Sequence, residues 1–254
     1  MIINADDLGG SPEISAAILE AFRRGLCSST TLMANQPAAE EAACLARESG
    51  LASHVGLHLV LDAAEPLTDG IKRCRRFCDA DGRLAFRRKP PTLRLGASEQ
   101  RALAAEIRAQ IARCRALGLP LTHADSHHHV HTEWAVGSVL IRVAREEAIP
   151  YLRLAPNCGA RGSSIGALYR WLYNRRLRRS GLAGVEYFGS IEQCLRLLRT
   201  AGSAAAARCE VMVHPRFRDG ELIDGGDGQP LEHSLARIAG HRAAVSYSGA
   251  RYVP

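Results

Sequence analysis

Aspartate and histidine residues that could bind a metal ion are concentrated in four short segments of this 254-residue chain. Residues 125–131 contain four histidines and one aspartate, and the other segments contribute the pair Asp6 and Asp7, His58 and His214. Both residue types are common ligands of zinc and related ions. One carboxylate and two imidazoles leave coordination positions for water and substrate. The pattern therefore predicts a divalent metal site that catalyses hydrolysis.

The adjacent carboxylates of Asp6 and Asp7 predict a division of labour. Neighbouring residues of a regular strand point to opposite faces, so both could reach one site only where the backbone turns at the end of the strand. One carboxylate would then bind the metal while the other takes a proton from the attacking water, as is common in metal-assisted hydrolysis.

The elements that must position these residues alternate along the chain, because short apolar segments are followed by longer amphipathic ones. Eight strands are predicted at residues 1–5, 29–34, 55–61, 121–125, 151–154, 185–188, 210–214 and 244–247. Helices are predicted after the N-cap Ser11 and at residues 37–49, 98–117, 133–147, 165–178, 191–200 and 231–241. This alternation predicts an α/β fold with a parallel sheet. About seven or eight strands favour a single (β/α) barrel, and a doubly wound open sheet is the alternative.

The candidate residues all follow predicted strands. Carboxyl ends of parallel strands lie on one face, where ligands bind, so distant segments of the chain would converge there. Each residue also has a structural explanation when taken singly. Asp6 and Asp7 would be a helix-entry turn, His58 would be a packed histidine, and His214 would end a strand before Pro215. Their joint position at strand ends favours a site.

The composition predicts a globular protein with a basic surface. Lys and Arg number 33 against 26 Asp and Glu, which gives a formal charge of +7. Such a charge permits a nucleic acid, an anionic membrane surface or an acidic ligand as partner and selects none of them. The N-terminus lacks the basic and apolar regions of a signal peptide, and the eight cysteines are scattered. We therefore expect a cytoplasmic protein with free, mostly buried thiols.

The sequence predicts one domain over residues 1–254 with a basic insertion at about 62–97, because no linker composition interrupts it. Long loops of this kind often cover a site. A second basic segment, residues 169–179, contains interleaved aromatic residues. It is interpreted as a solvated surface helix, with peripheral membrane contact as an alternative. A nucleic-acid face is the least favoured interpretation.

Four motifs resemble those of the YdjC-like carbohydrate deacetylase family, which includes chitooligosaccharide deacetylase. They are NADDLG at residues 4–9, GLH at 56–58, THADSHHHVH at 122–131 and EVMVHP at 210–215, in the order found in the family. The resemblance implies a distorted (β/α) barrel. It also implies hydrolytic removal of the N-acetyl group from an amino sugar or its conjugate, with release of acetate.

The resemblance also implies roles for individual residues. Asp7, His58 and His127 would bind one divalent ion, with zinc or magnesium expected first and other first-row ions also compatible. Asp6 would be the general base and His214 the general acid. Arg153 would orient the general base. Four further residues would hold the imidazoles of the metal ligands in place, namely His123, Asp125, His129 and His131.

Family members of this kind are commonly homodimers, so a homodimer is expected. The chain departs from the family at Leu8, where an aromatic residue is common, and at residues 73–91, which do not align. The sugar could therefore be free, oligomeric, nucleotide-linked or lipid-linked. Two other functions remain open on the residues alone: a metal-dependent phosphoesterase and a non-catalytic sugar-binding protein.

Overall fold

A curled parallel sheet of six strands forms the centre of the molecule. The computed structural model describes residues 1–88, 91–159, 163–182, 184–238 and 247. The strands of this sheet are β1 (Ile2–Leu8), β2 (Ser29–Leu32), β3 (Val55–Leu59), β4 (Ala124–Ser126), β5 (Tyr187–Ser190) and β6 (Cys209–Val213). Their spatial order is β4-β3-β2-β1-β6-β5, and every neighbouring pair is parallel.

Residues 151–158 connect the two edges of this sheet. At the β4 edge, the Ala124 N–H donates to the carbonyl of Tyr151, and the Ala124 carbonyl accepts from the N–H of Arg153. Further along the segment, two N–H groups donate to the carbonyl of Phe188 in β5. The strands therefore follow one another in chain order around the sheet, and β6 returns to β1. This is the order of a barrel and not of a doubly wound sheet, whose order reverses at one point.

The α/β barrel prediction is confirmed, but the sheet has six strands instead of seven or eight. Residues 151–154 form only a single bridge, between Leu152 and Ala124, because this segment crosses from β4 toward β5 and stays beside neither. The last predicted strand, residues 244–247, lies outside the described residues except for Tyr247.

Helices cover the sheet at nearly the predicted positions. In the described ranges they are α1 (Pro12–Arg23), α2 (Ala39–Glu48), α3 (Asp69–Lys72), α4 (Ala97–Ala116), α5 (Trp134–Glu146), α6 (Ser164–Arg179), α7 (Ile191–Ala201) and α8 (Leu231–Ala236). Ser11 caps α1 as predicted, since its hydroxyl accepts from the N–H of Ile14 at 3.2 Å. None of the helices among these residues is long and apolar enough to cross a membrane.

A hairpin that the sequence analysis missed follows β6. Its strands are β7 (Pro215–Arg218) and β8 (Glu221–Asp224), which pair antiparallel. The turn between them is Asp219-Gly220, and both residues have positive φ angles, of 51° and 80°. An Asp-Gly pair favours this two-residue turn, so the signal for the hairpin was present in the sequence.

The basic insertion, residues 62–97, packs against the barrel in its described part. The rings of Phe77 and Phe86 stack with centroids 5.5 Å apart, and Phe77 is fully buried. Arg88 donates to the carbonyl of His128 at 3.0 Å. The insertion thus reaches the histidine-rich segment that follows β4. The eight cysteines are free, and six of them are buried, as the sequence analysis expected.

Candidate active site

The predicted site residues converge at the carboxyl ends of neighbouring strands. Asp6 and Asp7 lie in β1, His58 in β3 and Asp125 in β4, while His127 comes directly after β4. All of them are buried except His127, whose side chain is 20% exposed. The barrel therefore brings residues more than a hundred positions apart into hydrogen-bond contact on one face.

A local distortion of β1 lets both of its carboxylates face this cluster. Asp7 has a φ of 74°, in the left-handed region, and the pairing of β1 with β2 shifts register between Ala5 and Leu8. Aspartate tolerates this conformation better than most residues other than glycine. Irregularities of this kind re-aim side chains next to active sites. The backbone break inferred from the adjacent aspartates is thus present, but it lies within β1, which continues to Leu8, and not after the end of the strand.

Three side chains form a group that could hold a metal ion: Asp7, His58 and His127. Oδ1 of Asp7 lies 3.2 Å from Nε2 of His58 and 3.2 Å from Nδ1 of His127. Ligands about 2.05 Å from a tetrahedral ion are separated by about 3.3 Å, so the donor atoms already have suitable spacing.

The orientation of His58 is fixed by a second carboxylate. Its Nδ1–H donates to Oδ1 of Asp125 at 2.7 Å, and its Nε2 faces Oδ1 of Asp7 at 3.2 Å, where this nitrogen would bind an ion after losing its proton. Thr31 donates to the other oxygen of Asp125 at 3.2 Å. Burial alone would lower the pKa of His58, but Asp125 and Asp7 outweigh burial and raise that pKa to about 10. A carboxylate that holds the far nitrogen of an imidazole makes the ring a more basic metal ligand.

Arg153 is a fully buried cation on the bridging segment, and it holds Asp6 in place. Its two terminal nitrogens donate to the two oxygens of Asp6 at 2.6 and 2.7 Å. The same guanidinium contacts Asp125 at 2.6 Å and Glu210 at 2.6 Å. Asn4 adds a donor to Asp6 at 2.8 Å. This network fixes the position of the Asp6 carboxylate beside the cluster.

Asp6 and Asp7 are two adjacent carboxylates whose pKa values are both lowered. Burial would raise the pKa of Asp6, but Arg153 outweighs it, and the pKa lies well below its usual range. Burial likewise opposes the ionised form of Asp7, and hydrogen bonds from His127 and His58 outweigh it and lower the pKa. Both carboxylates are therefore ionised at neutral pH. Arg153 and Arg216 already pair with these two carboxylates, and it is the donor set of Asp7, His58 and His127 that fits a divalent ion.

The lowered pKa of Asp6 predicts a pH-dependent contribution to stability. An aspartate in the unfolded chain titrates at about pH 4. Ionised Asp6 therefore stabilises the folded state fully above that pH, and this stabilisation is lost as the pH falls below it. We expect the difference in unfolding free energy between the wild type and Asp6→Asn to be largest at neutral pH and to shrink below about pH 4. Urea unfolding of both chelator-treated proteins across this range measures it. A difference that widens on acidification would contradict the ion pair.

The hairpin β7–β8 positions His214. The backbone N–H of His214 donates to Oδ1 of Asp224 at 2.7 Å, and the His214 carbonyl accepts from the N–H of Gly225 at 2.7 Å. The His214 side chain is half-buried. Its positive charge, when the ring is protonated, lowers the pKa of both Asp6 and Asp7. The ring therefore lies within electrostatic reach of the site.

The other predicted supporting histidines contact different groups. Of the four residues expected to hold the ligand imidazoles, Asp125 alone bonds to one of these imidazoles in the described part of the chain. Nε2 of His123 lies 3.0 Å from Oδ1 of Asn4, and its ring stacks on Tyr247. A Cβ on Gly56 would meet the ring of His123 at 2.6 Å, so β3 and β4 pack here only because that residue is glycine.

His129 and His131 lie behind the site. Nδ1 of His131 pairs with the hydroxyl of Ser126 at 2.6 Å, and the ring of His129 meets Phe188 edge-on. Burial lowers the pKa of both rings, and that of His129 falls to about 3. Both histidines are therefore neutral at neutral pH; His131 bonds to Ser126, whereas Nδ1 of His129 is buried without a hydrogen-bond partner among the described residues.

Three polar residues of the site were missed from the sequence. Glu210 is the one charged residue in an otherwise apolar strand, and that exception was an available signal, whereas Asn4 shares β1 with Asp6 and Asp7. Arg216, on β7, donates to Oδ2 of Asp7 at 2.8 Å. No sequence signal indicated this contact, because the hairpin that carries Arg216 was not predicted.

The fold and the site together define a class. The molecule is an α/β barrel with a buried carboxylate–imidazole cluster at the carboxyl ends of its strands, where barrel enzymes have their active sites. The YdjC-like protein family matches residues 1–246, so the chain belongs to that family.

Curated relatives carry related names. A carbohydrate deacetylase of Brevibacillus brevis is 31% identical over 235 residues, which cover 89% of this chain and 84% of the relative. A carbohydrate deacetylase of Geobacillus stearothermophilus is 33% identical over 88% of this chain and 82% of its own length. A chitooligosaccharide deacetylase of Yersinia pestis is 32% identical over 93% of this chain and 89% of its own length.

A crystal structure from Enterococcus faecalis V583 has the same fold. Its protein, whose proposed activity is cellobiose-phosphate cleavage, superposes with a TM-score of 0.69 and 24% identity over 97% of both chains. This similarity supports the barrel architecture.

Proposed function

We propose that the protein is a metal-dependent carbohydrate N-deacetylase, a hydrolase that removes the N-acetyl group from an amino sugar or its conjugate and releases acetate. The observation that carries this proposal is the position of Oδ1 of Asp7, 3.2 Å from both His58 and His127, beside an ionised Asp6. The names of the curated relatives support the same reaction.

Asp7, His58 and His127 would hold the ion, for which zinc or magnesium is expected first and other first-row ions are compatible. A bound divalent ion would polarise the attacking water and the acetamide carbonyl. Arg216 occupies Oδ2 of Asp7, which leaves Oδ1 free to face the two imidazoles. Asp125 fixes the tautomer of His58 through its 2.7 Å hydrogen bond.

In the proposed reaction, the oxygen of the water forms a bond to the acetyl carbon. At the same time, Asp6 accepts a proton from that water. Arg153 holds this carboxylate in one orientation through two hydrogen bonds and keeps it ionised. The carbon–nitrogen bond then breaks, and His214 donates a proton to the departing nitrogen. The products are acetate and the free amine of the sugar.

The assay that tests this function is release of acetate from a panel of N-acetylated amino sugars by metal-reconstituted protein. The panel includes free, oligomeric, nucleotide-linked and lipid-linked sugars, and phosphate esters serve as competing substrates. We expect acetate and free amine in equal amounts from at least one sugar. Phosphate release without acetate would support a phosphoesterase instead. Tight sugar binding without turnover would support a non-catalytic sugar-binding protein.

We also propose that the protein forms a homodimer and is located in the cytoplasm. Nucleic acid is not among the proposed partners. Sedimentation equilibrium measures the oligomeric state, and a mass of one chain across the micromolar range would contradict the dimer.

A further inference from the structure

The helix α6 has two apolar faces. One face packs on the protein through Tyr173 and Leu177, which are buried. The opposite face is open to solvent. Six large apolar side chains are exposed in the described residues, and four of them lie on α6: Ile165 at 79%, Leu168 at 56%, Trp171 at 52% and Leu172 at 41%.

These four residues form one stripe, here called the α6 stripe. Ile165, Leu168 and Leu172 recur at i, i+3 and i+7, so they lie on the same side of the helix, and Trp171 flanks them. Large apolar side chains grouped on the surface of a protein mark an interaction site, because scattered single residues are the normal condition. Ordinary packing against the barrel, the main interpretation from sequence, accounts for the buried face only.

The packed face of α6 is fixed to the segment that follows β4. The hydroxyl of Tyr173 donates to the carbonyl of His131 at 2.6 Å, and that of Tyr169 donates to the carbonyl of Thr132 at 2.7 Å. Both acceptors belong to the histidine-rich segment after β4. The packed face of α6 therefore anchors the helix, and its outer face stays presented to solvent.

The charge of α6 indicates which kind of partner its outer face would bind. The sequence of α6 contains no acidic residue, and its last turn contains Arg176, Arg178 and Arg179. Arg175 and Arg179 are exposed and follow Leu172 at i+3 and i+7, so they continue the α6 stripe. The guanidinium of Arg175 lies over the ring of Trp171 at 5.3 Å. The outer face of the helix is thus apolar in its first half and basic in its second.

We propose that the α6 stripe docks the protein on an anionic membrane surface. The apolar side chains would enter the interfacial region, where tryptophan is favoured, and Arg175 and Arg179 would contact lipid phosphates. A second copy of the chain fits less well. A two-fold contact of one α6 stripe with another offers no acidic residue of α6 to Arg175 or Arg179, whether the helices run parallel or antiparallel. Docking does not depend on the chemistry of the candidate active site.

The experiment is co-sedimentation of the full chain with vesicles of phosphatidylcholine alone or mixed with phosphatidylglycerol. We expect binding to the anionic vesicles at low salt, weaker binding at high salt, and little binding to the neutral vesicles. The double variant Leu168→Asp/Trp171→Asp is expected to lose about tenfold or more of the partition coefficient, because two charged groups replace the apolar anchor. Circular dichroism melts establish that it folds.

Two double variants that reverse charge separate docking through α6 from a general attraction caused by the net positive charge of the protein. Arg175→Glu/Arg179→Glu is expected to lose about tenfold of the binding. Arg23→Glu/Arg24→Glu on α1 changes the net charge equally and should retain most of it. Equal losses in both pairs, or unchanged binding by Leu168→Asp/Trp171→Asp, would overturn the proposal. So would absence of binding at low salt. A dimer that becomes a monomer in the apolar variant, without vesicle binding by the wild type, would assign the stripe to a second copy.

Discussion

Asp6→Asn is expected to lower kcat by about 10²–10⁴-fold while the protein still binds one equivalent of divalent metal. Asparagine retains the size of the side chain and can still contact Arg153, but it cannot accept the proton of the attacking water. The Asp7, His58 and His127 side chains are unchanged in this variant. Acetate release at saturating substrate gives kcat, and elemental analysis after dialysis gives the metal content.

A matched control for this variant is Asp81→Asn, which removes an exposed carboxylate of the basic insertion. It should retain the activity of the wild type. If Asp6→Asn were as active as the wild type, Asp6 would not be the general base. If it lost the metal together with the activity, Asp6 would be a ligand and the roles of Asp6 and Asp7 would have to be exchanged.

Removal of an imidazole from the metal-binding group is expected to abolish both metal retention and turnover. In His58→Ala or His127→Ala, two protein ligands remain where a catalytic ion usually has three. We expect substoichiometric metal after dialysis and activity reduced by at least about a hundredfold, since loss of a residue that merely supports a metal ligand already costs about 10–100-fold. His233→Ala, at an exposed histidine on α8, is the control and should match the wild type. Stoichiometric metal in the double variant His58→Ala/His127→Ala would contradict the ligand set.

The barrel and the convergence of the site could be predicted because both depend on local patterns. Alternating apolar and amphipathic segments specify β-α units, and parallel strands place the residues at their ends on one face. Asp6, His58 and Asp125 follow this rule directly. The adjacent Asp7 needed a break in the backbone, and its φ of 74° supplies one inside β1, before the strand ends at Leu8.

The parts that escaped prediction depend on long-range geometry. Residues 151–154 looked like a strand, but the segment has to cross from β4 to β5, and its Arg153 ends in the centre of a carboxylate network. Glu210, in β6, is buried because it is one of the anions around that guanidinium. The contact of Arg216 with Asp7 spans 209 positions and needs a hairpin whose Asp-Gly turn was overlooked.

The outer face of α6 shows what an amphipathic sequence pattern alone does not predict. An amphipathic pattern predicts that a helix has a buried face, and Tyr173 and Leu177 occupy it. The same pattern cannot show which of two apolar faces the protein covers. Only the packing of the helix on the segment after β4 leaves the α6 stripe, with Leu168 and Trp171, exposed.

The central claim is that a divalent ion held by Asp7, His58 and His127 is needed for removal of the N-acetyl group. The most direct measurement is titration of chelator-treated protein with zinc or magnesium while acetate release from an N-acetylated amino sugar is followed. We expect negligible release without metal and a rise that reaches its plateau at about one equivalent of a tightly bound ion such as zinc. Full acetate release by the metal-free protein would contradict it.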